Sequence, residues 1–328
     1  MAETSSIQEI IFDPVLSEFE LPLRRTFYPL GFPLELSTNS TDVIEAAARL
    51  WSPFSPSFDE DPSRFLLGVA GSDNDDLPPK PRFRAREHLM TQIGNAENFV
   101  TCDFRENLAY GWVTPAVAAN HAFVGFFYLY GTALMLAQQL RLAPIHGALV
   151  ARDGCGVLLC GDSCAGKSTL SYACARAGWT FIADDGAFLD RKRADRYAIG
   201  NPYTIRFRED AQSLFPEFSD RSAAARPNGK IGIELFTSEL PIQLATGCSI
   251  EHVVVLNRED PGPARLRPYP NEAVMNLLDS HACFGSSEVR AEQQRCYQRL
   301  LGAGIWEMRY RDLDDAIYRL DRLARSGG

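Results

Sequence analysis

The chain has 328 residues, 45% of them hydrophobic and 23% charged, enough to bury a substantial core and to make two domains the natural expectation. Lys and Arg number 33 against 42 Asp and Glu, a net charge of −9, and no Lys/Arg cluster offsets it, which argues against nucleic acid as the main partner. The opening residues, Met1-Ala2-Glu3-Thr4-Ser5-Ser6, lack a basic flank followed by an apolar run, so a cytoplasmic protein without a secretory signal is expected. The 8 cysteines include no C-x-x-C pair and the 5 histidines are scattered, a pattern of thiols in a reducing compartment rather than of a zinc site.

In chain order, residues 32–39 alternate like a strand, and Ser40 or Thr41 can cap a helix over 43–51. Residues 72–81 form a loop by composition. Strands are expected at 99–104 and 108–113. Residues 107–140 contain no Lys, Arg, Asp or Glu, and 123–140 are apolar enough to suggest a membrane span of about 20 residues. Asn120, His121, Gly125, Gly131, Gln138 and Gln139 punctuate this run, and Pro115 offers a helix start. A buried helix is therefore expected, with His121 a hydrogen-bonded core residue. Residues 1–142 read as an N-terminal α+β domain available for recognising a substrate or partner, and 143–328 as a second domain.

The second domain carries the chemistry. Residues 155–160 are an apolar strand, and the next nine are Gly161-Asp162-Ser163-Cys164-Ala165-Gly166-Lys167-Ser168-Thr169, followed by a helix over 170–177. This is G-x-x-x-x-G-K-S, the phosphate-binding P-loop or Walker A pattern, in its required strand–turn–helix setting. Such a turn aims backbone N–H groups and a helix N-terminus at one spot, where Lys167 can reach the terminal phosphates of a nucleotide and Ser168 can hold magnesium. Cys164 in that turn is a candidate redox-sensitive thiol, against the plainer reading of an inert one.

Residues 180–185, Thr-Phe-Ile-Ala-Asp-Asp, form a short apolar strand ending in two acids. Alternation on a strand sends Asp184 and Asp185 to opposite sides, one toward metal and one toward an acceptor hydroxyl, unless the pair is a solvated turn. Beyond them, 197–200, 203–207, 231–236 and 252–256 read as strands, 271–278 and 288–301 as helices, and Leu313, Ile317, Leu320 and Leu323 line a closing helix. This mixed order departs from the alternation of a doubly wound domain. Arg206, Arg208, Arg226 and Lys230 are candidates for a further phosphate contact or plain surface charges.

His146-Gly147-Ala148-Leu149-Val150, the whole loop from Gly156 to Ser168, and Ile182-Ala183-Asp184-Asp185 together resemble the catalytic domain of the bacterial HPr kinase/phosphorylase family, over about 40 residues. The resemblance implies an α/β, mixed-sheet nucleotide-binding fold like that of phosphoenolpyruvate carboxykinase, with ATP and Mg2+ as cofactors and a serine hydroxyl as acceptor. It further implies that His146 and Lys167 are active-site residues, Ser168 a metal ligand and Asp184 the proton acceptor, in an assembly that is often hexameric; Asp185, read from its place beside Asp184, is expected near the metal held by Ser168. His146 has no assignment apart from this resemblance. Two departures bear on the substrate: Thr169 stands where the family usually has an acid, and the Arg-Gly-x-Gly segment tied to the acceptor and to phosphorolysis has no good match. The sequence thus points to an ATP-dependent kinase acting on a hydroxyl of a protein, peptide or small molecule, with HPr a poor substrate. The rivals are a non-catalytic ATP sensor and a phosphorylase or carboxykinase-like enzyme acting on a small metabolite.

Overall fold

The computed structural model describes residues 20–71, 76–209, 211–258, 262–279 and 286–326; residues 72–75 of the expected loop lie outside these. The chain divides into two compact units, one up to Ala133 and one from Leu134. That division falls within the helix Gly131–Leu140, ahead of the boundary expected at 142/143.

The first unit is built on a seven-stranded mixed sheet. Its strands are β1 (Leu23–Phe27), β2 (Leu34–Thr38), β3 (Ser63–Val69), β4 (Arg82–Arg86), β5 (Leu89–Asn95), β6 (Asn98–Asp103) and β7 (Leu108–Val113), in the order β1-β2-β3-β7-β6-β5-β4. Helix α1 (Thr41–Trp51) connects the parallel pair β2 and β3 and buries Val43, Ala46, Ala47 and Trp51, a one-sided stripe at helical spacing. Ser40 occupies its N-cap position but makes no side-chain capping bond.

The charge-free run is helical in pieces. Helix α2 (Pro115–Ala119) starts on its proline and breaks at Asn120, whose ψ of 83° is not helical and whose side chain accepts from the Phe123 N–H at 3.0 Å, restarting the helix. Helix α3 (His121–Phe123), a π-helical turn (Val124–Tyr130) and α4 (Gly131–Leu140) follow. Among the described residues His121–Leu140 is the one helix long and apolar enough to cross a membrane, and 61% of its apolar window is buried inside the protein.

The second unit is α/β with a mixed sheet at its centre. Its strands are β8 (Leu142–Ile145), β9 (Ala148–Arg152), β10 (Cys155–Cys160), β11 (Thr180–Ala183), β12 (Ala187–Asp190), β13 (Tyr197–Gly200), β14 (Thr204–Phe207), β15 (Ala224–Ala225), β16 (Ile231–Phe236), β17 (Gln243–Leu244), β18 (Gly247–Asn257), β19 (Arg265–Pro268) and β20 (Gly304–Arg309). The helices are α5 (Lys167–Arg176), α6 (Ala211–Leu214), α7 (Asn271–Asp279), α8 (Ser287–Leu300) and α9 (Leu313–Ser326). Strand β10 lies between β9, antiparallel to it, and β18, parallel to it; β11 pairs antiparallel with β9 and β20 parallel with β18. Strands β14, β16 and β15 form a separate three-stranded sheet.

Alternation along the central strands supplies two cores. Val157 and Leu159 of β10, Val150 of β9 and Phe181 of β11 join a cluster with Leu170 of α5 and Leu320 of α9. Leu158 and Cys160, Leu149 and Ile182 face the other way, into a cluster with Val274 of α7 and Tyr297 of α8. A strand covered on both faces must be apolar at every position, which is why 155–160 reads as a continuous run. The packing leaves no room at Gly156, where a Cβ would lie 2.2 Å from the Ser249 carbonyl oxygen of β18. Gly156→Ala should therefore force β10 and β18 apart and cost about 2 kcal/mol or more of unfolding free energy; chemical denaturation unchanged from wild type would show that the pairing yields easily.

Candidate functional site

The topology brings separate chain segments to one edge of the central sheet. Strands β10, β11, β18 and β20 all run in one direction, and β9 runs in the other. The C-terminal ends of the four and the approach to β9 therefore share an edge. That edge carries the turn after β10, the Asp184-Asp185 pair after β11, Asn257 at the end of β18 with Arg258 after it, Tyr310 after β20, and His146-Gly147 before β9. In open α/β sheets this is the edge where ligands bind.

The turn from β10 to α5 is held open by backbone conformations that few side chains permit. Gly161 (φ 141°), Cys164 (φ 74°) and Gly166 (φ 96°) are left-handed, and a Cβ on Gly166 would lie 2.4 Å from the Tyr310 hydroxyl oxygen. The Ala165 N–H donates to the Asp162 carbonyl at 3.1 Å, closing the turn, and the Leu170 N–H donates to the Gly166 carbonyl at 2.8 Å, opening the ten-residue helix. The N–H groups of that first turn have no partner within the helix. Asp162, Ser163 and Cys164 are exposed, while Ala165, Gly166, Ser168 and Thr169 are half-buried.

Lys167 is the buried charge of the turn. It is 7% exposed, and its Nζ donates to the carbonyls of Gly161 at 2.7 Å and Asp162 at 3.1 Å. Burial lowers its pKa against the opposing pull of several negative groups, of which Asp185 is the strongest. The lysine and that carboxylate are thus within electrostatic reach of each other.

The two acids part, but in the bend after β11 rather than on the strand, which ends at Ala183. Asp184 is 6% exposed and its Oδ2 accepts from the Arg206 backbone N–H of β14 at 2.8 Å. Burial pushes its carboxyl up to about 7, opposed chiefly by the Arg206 charge. The Asp185 side chain is 60% exposed and lies beside His146, whose Nδ1 is 3.4 Å from the Asp185 Oδ1 and 3.1 Å from its carbonyl oxygen. The register explains the meeting: Ala187 of β12 pairs with Ile145 of β8, so the connections β11 to β12 and β8 to β9 cross the edge side by side.

Of the four candidate cations, Arg208 reaches the turn, its Nη2 donating to the Ser163 Oγ at 3.4 Å. Arg206 turns its Nε to Glu234 at 2.7 Å, and Arg226 and Lys230 sit on the turn between β15 and β16. An aromatic cluster joins this part to the helix, with Tyr172 of α5 packed against Phe207 of β14, Phe215 and Phe218. Sequence reasoning does not single out Tyr310, because β20 is not anticipated, nor Arg258, which follows the expected strand at 252–256 but belongs to no motif. The Tyr310 hydroxyl donates to the Ala165 carbonyl at 3.2 Å, and burial pushes its pKa up to about 12, so it stays a donor. Their only signal is position, directly after two strands parallel to β10.

The first unit holds one further group, Asp42, Glu45 and His121, whose ligand atoms lie within 4.8 Å of one another. His121 is half-buried and its Nε2 is 3.2 Å from the Asp42 Oδ1. Among the described residues Cys102, Cys160, Cys174 and Cys296 are buried free thiols, while Cys164 is exposed.

No protein-family model matches the chain, and no curated protein matches it. Among solved structures the chain is similar to the Hpr(Ser) kinase/phosphatase from Coxiella burnetii, at 16% sequence identity and a TM-score of 0.29, over 56% of this chain and 93% of that one. This is a distant structural likeness to a kinase/phosphatase.

The Asp184 carboxyl sets a pH dependence. In the folded protein it keeps its proton up to about pH 7, whereas unfolded it releases it near 3.8. Its contribution to stability is full below the lower value and is lost as pH rises through the upper one. Relative to Asp184→Asn, the wild type should lose unfolding free energy between roughly pH 4 and pH 8, with a ceiling of about 4 kcal/mol. A constant difference between the two proteins across that range, in denaturant titrations, would mean that the carboxyl titrates normally.

Proposed function

We propose that this chain is an ATP- and magnesium-dependent kinase that transfers the γ-phosphoryl group to a hydroxyl, a serine of a protein or peptide or the hydroxyl of a small molecule. One observation carries the reading: a buried lysine at a left-handed strand–turn–helix junction shares a sheet edge with a neutral-range carboxyl and a second, exposed carboxylate.

The residues present fit the nucleotide and the metal. Side chains are barred at Gly166, so backbone amides of Gly161 to Thr169 can approach phosphate closely, at the positive end of a ten-residue helix. Lys167 would exchange its two carbonyl partners for the β- and γ-phosphates. The Ser168 hydroxyl and Asp185 would hold magnesium, with His146 fixing Asp185. When bound, ATP-magnesium supplies the activated phosphoryl group, and the protein contributes position and charge. Asp184 would accept the proton of the acceptor hydroxyl, the role for which a pKa of about 7 is suited. Arg208 would add a phosphate contact from the far side of the turn. The first unit would recognise the acceptor.

Lys167→Ala should abolish the thermal stabilisation given by ATP-magnesium, worth about 2.7 kcal/mol for wild type at a hundredfold excess over Kd. Asp184→Asn should keep that stabilisation and lower turnover about 10²-fold, and Asp185→Asn should raise the magnesium needed for binding. Labelled-ATP assays with serine peptides, HPr and small hydroxyl compounds, beside calorimetry, read all three. Tight ATP binding without transfer to any acceptor would favour a nucleotide sensor, and a reversed pattern in the two Asp variants would exchange their roles.

A further inference from the structure

We infer that strand β4 is a docking edge for an extended acidic segment of a partner protein, which joins the first unit's sheet as one more strand. β4 ends that sheet: it pairs with β5 on one side, and among the described residues no strand lies on the other. All five of its residues, Arg82-Phe83-Arg84-Ala85-Arg86, are exposed. An edge strand keeps the N–H and C=O groups of alternate residues outside the ladder, a template that another polypeptide backbone completes.

Charge decides which segment fits. Alternation puts Arg82, Arg84 and Arg86 on one side of the sheet, repeating at roughly 7 Å. Their partners across the ladder, Ile93, Thr91 and Leu89, are uncharged, and none of the three guanidinium groups has an ion pair or a hydrogen bond among the described residues. Of the neighbouring acids, Glu87, beside Arg86 in the chain, and Asp103, two strands away on β6, lie 4.0 and 3.8 Å from the His88 ring. Asp103 also accepts from the backbone N–H groups of Arg105 and Glu106. The opposite edge of the sheet differs: on β1, Arg24 pairs with Glu35, and the Arg25 guanidinium lies over the Phe27 ring at 5.0 Å. The arginines of β1 are answered within the protein and those of β4 are not, which on a chain of net charge −9 is a local reversal of sign that attracts anions.

A strand added at this edge sets one side chain directly opposite each of the five. Acids at every second position meet the arginines. Apolar residues between them meet Ala85 and Phe83, the latter 54% exposed, on the other side of the sheet. The segment is therefore acid, apolar, acid, apolar, acid, in an extended chain. A charged edge also deters self-pairing, but that requires neither a row of charges at strand spacing nor an exposed Phe83 between them. A second copy pairing β4 with β4 would set arginine against arginine, and a nucleic acid answers the charge without completing the backbone ladder.

Binding of a fluorescein-labelled peptide, Ser-Thr-Glu-Val-Glu-Val-Glu-Thr-Ser, to the full chain is followed by fluorescence anisotropy without nucleotide, so the result is separate from that of the kinase reading. The peptide's central five residues read the same in both directions and fit either strand orientation. Wild type is compared with Arg82→Ser/Arg84→Ser/Arg86→Ser and with Arg290→Ser/Arg322→Ser/Arg325→Ser, which removes equal charge from the second unit. All six residues are exposed, and thermal melting checks each fold. Two further peptides carry N-methyl groups on the Glu or on the Val amides, blocking one edge of the peptide strand or the other at constant charge. The expected result is saturable binding that weakens at least about tenfold in the β4 variant and stays within about twofold in the control. One methylated peptide should lose binding and the other keep it. No saturable binding, equal loss in both triple variants, or equal behaviour of the two methylated peptides would each overturn the inference. So would tighter binding of an oligothymidylate of equal charge to the same three arginines, or a dimer of the chain that the β4 substitutions dissociate in sedimentation.

Discussion

The site depends on the antiparallel strand β9. By lying between β10 and β11 and pairing with both, it makes those two strands run the same way and end together. Without that return strand, an apolar strand followed by a glycine-rich turn and another ending in two acids would have no reason to deliver their ends to one place. The parallel pairing of β18 with β10 and β20 extends the same logic to Arg258 and Tyr310. Each pairing is a ladder of backbone hydrogen bonds, and buried backbone groups must be paired, so a shift in register would expose both chemistry and core.

Electrostatics at that edge works against ordinary folding preferences. Burial lowers the Lys167 pKa and raises that of Asp184, so each group is held where its charged form is disfavoured. The protein answers with local dipoles and charges, two loop carbonyls for the lysine and the Arg206 N–H for the acid. Such compensated but poised groups are expected where charge must change during a reaction, because an arriving ligand can replace a protein partner without first displacing bulk water.

The helices do different work from the strands. Helix α5 has a buried face and carries the turn's lysine at its first residue, so its position fixes the lysine. That position is set by Tyr172, whose ring meets Phe207, Phe215 and Phe218 and whose hydroxyl donates to Glu217 at 2.9 Å. The strand β14 that supplies Phe207 to this cluster also supplies the Arg206 N–H to Asp184. Packing of one side chain thereby couples the turn to the buried acid.

Local order determined a good deal of this protein. Residues 155–160 had to be a doubly covered strand because every position is apolar or Gly, and the turn from Gly161 to Ser168 was legible because glycine stands at two of its three left-handed positions, Cys164 being the third. The strands at 108–113, 197–200 and 231–236 and the closing helix were legible from periodicity alone, as was the mixed character of the fold. Strands β12 and β20 were not, since four- and six-residue segments with interior charged or flanking polar residues, such as Trp306-Glu307-Met308-Arg309, carry no period that excludes a loop. Only the tertiary structure decided that Asp184 is buried against β14 and Asp185 exposed beside His146, that Arg208 rather than Arg206 approaches the turn, and that Tyr310 closes it. Sequence fixes which side chains are available and the local geometry around them. Distances between residues 39 or 145 positions apart, as for His146 with Asp185 or Tyr310 with Ala165, follow from strand order and register, which arise from pairings spread over the whole unit.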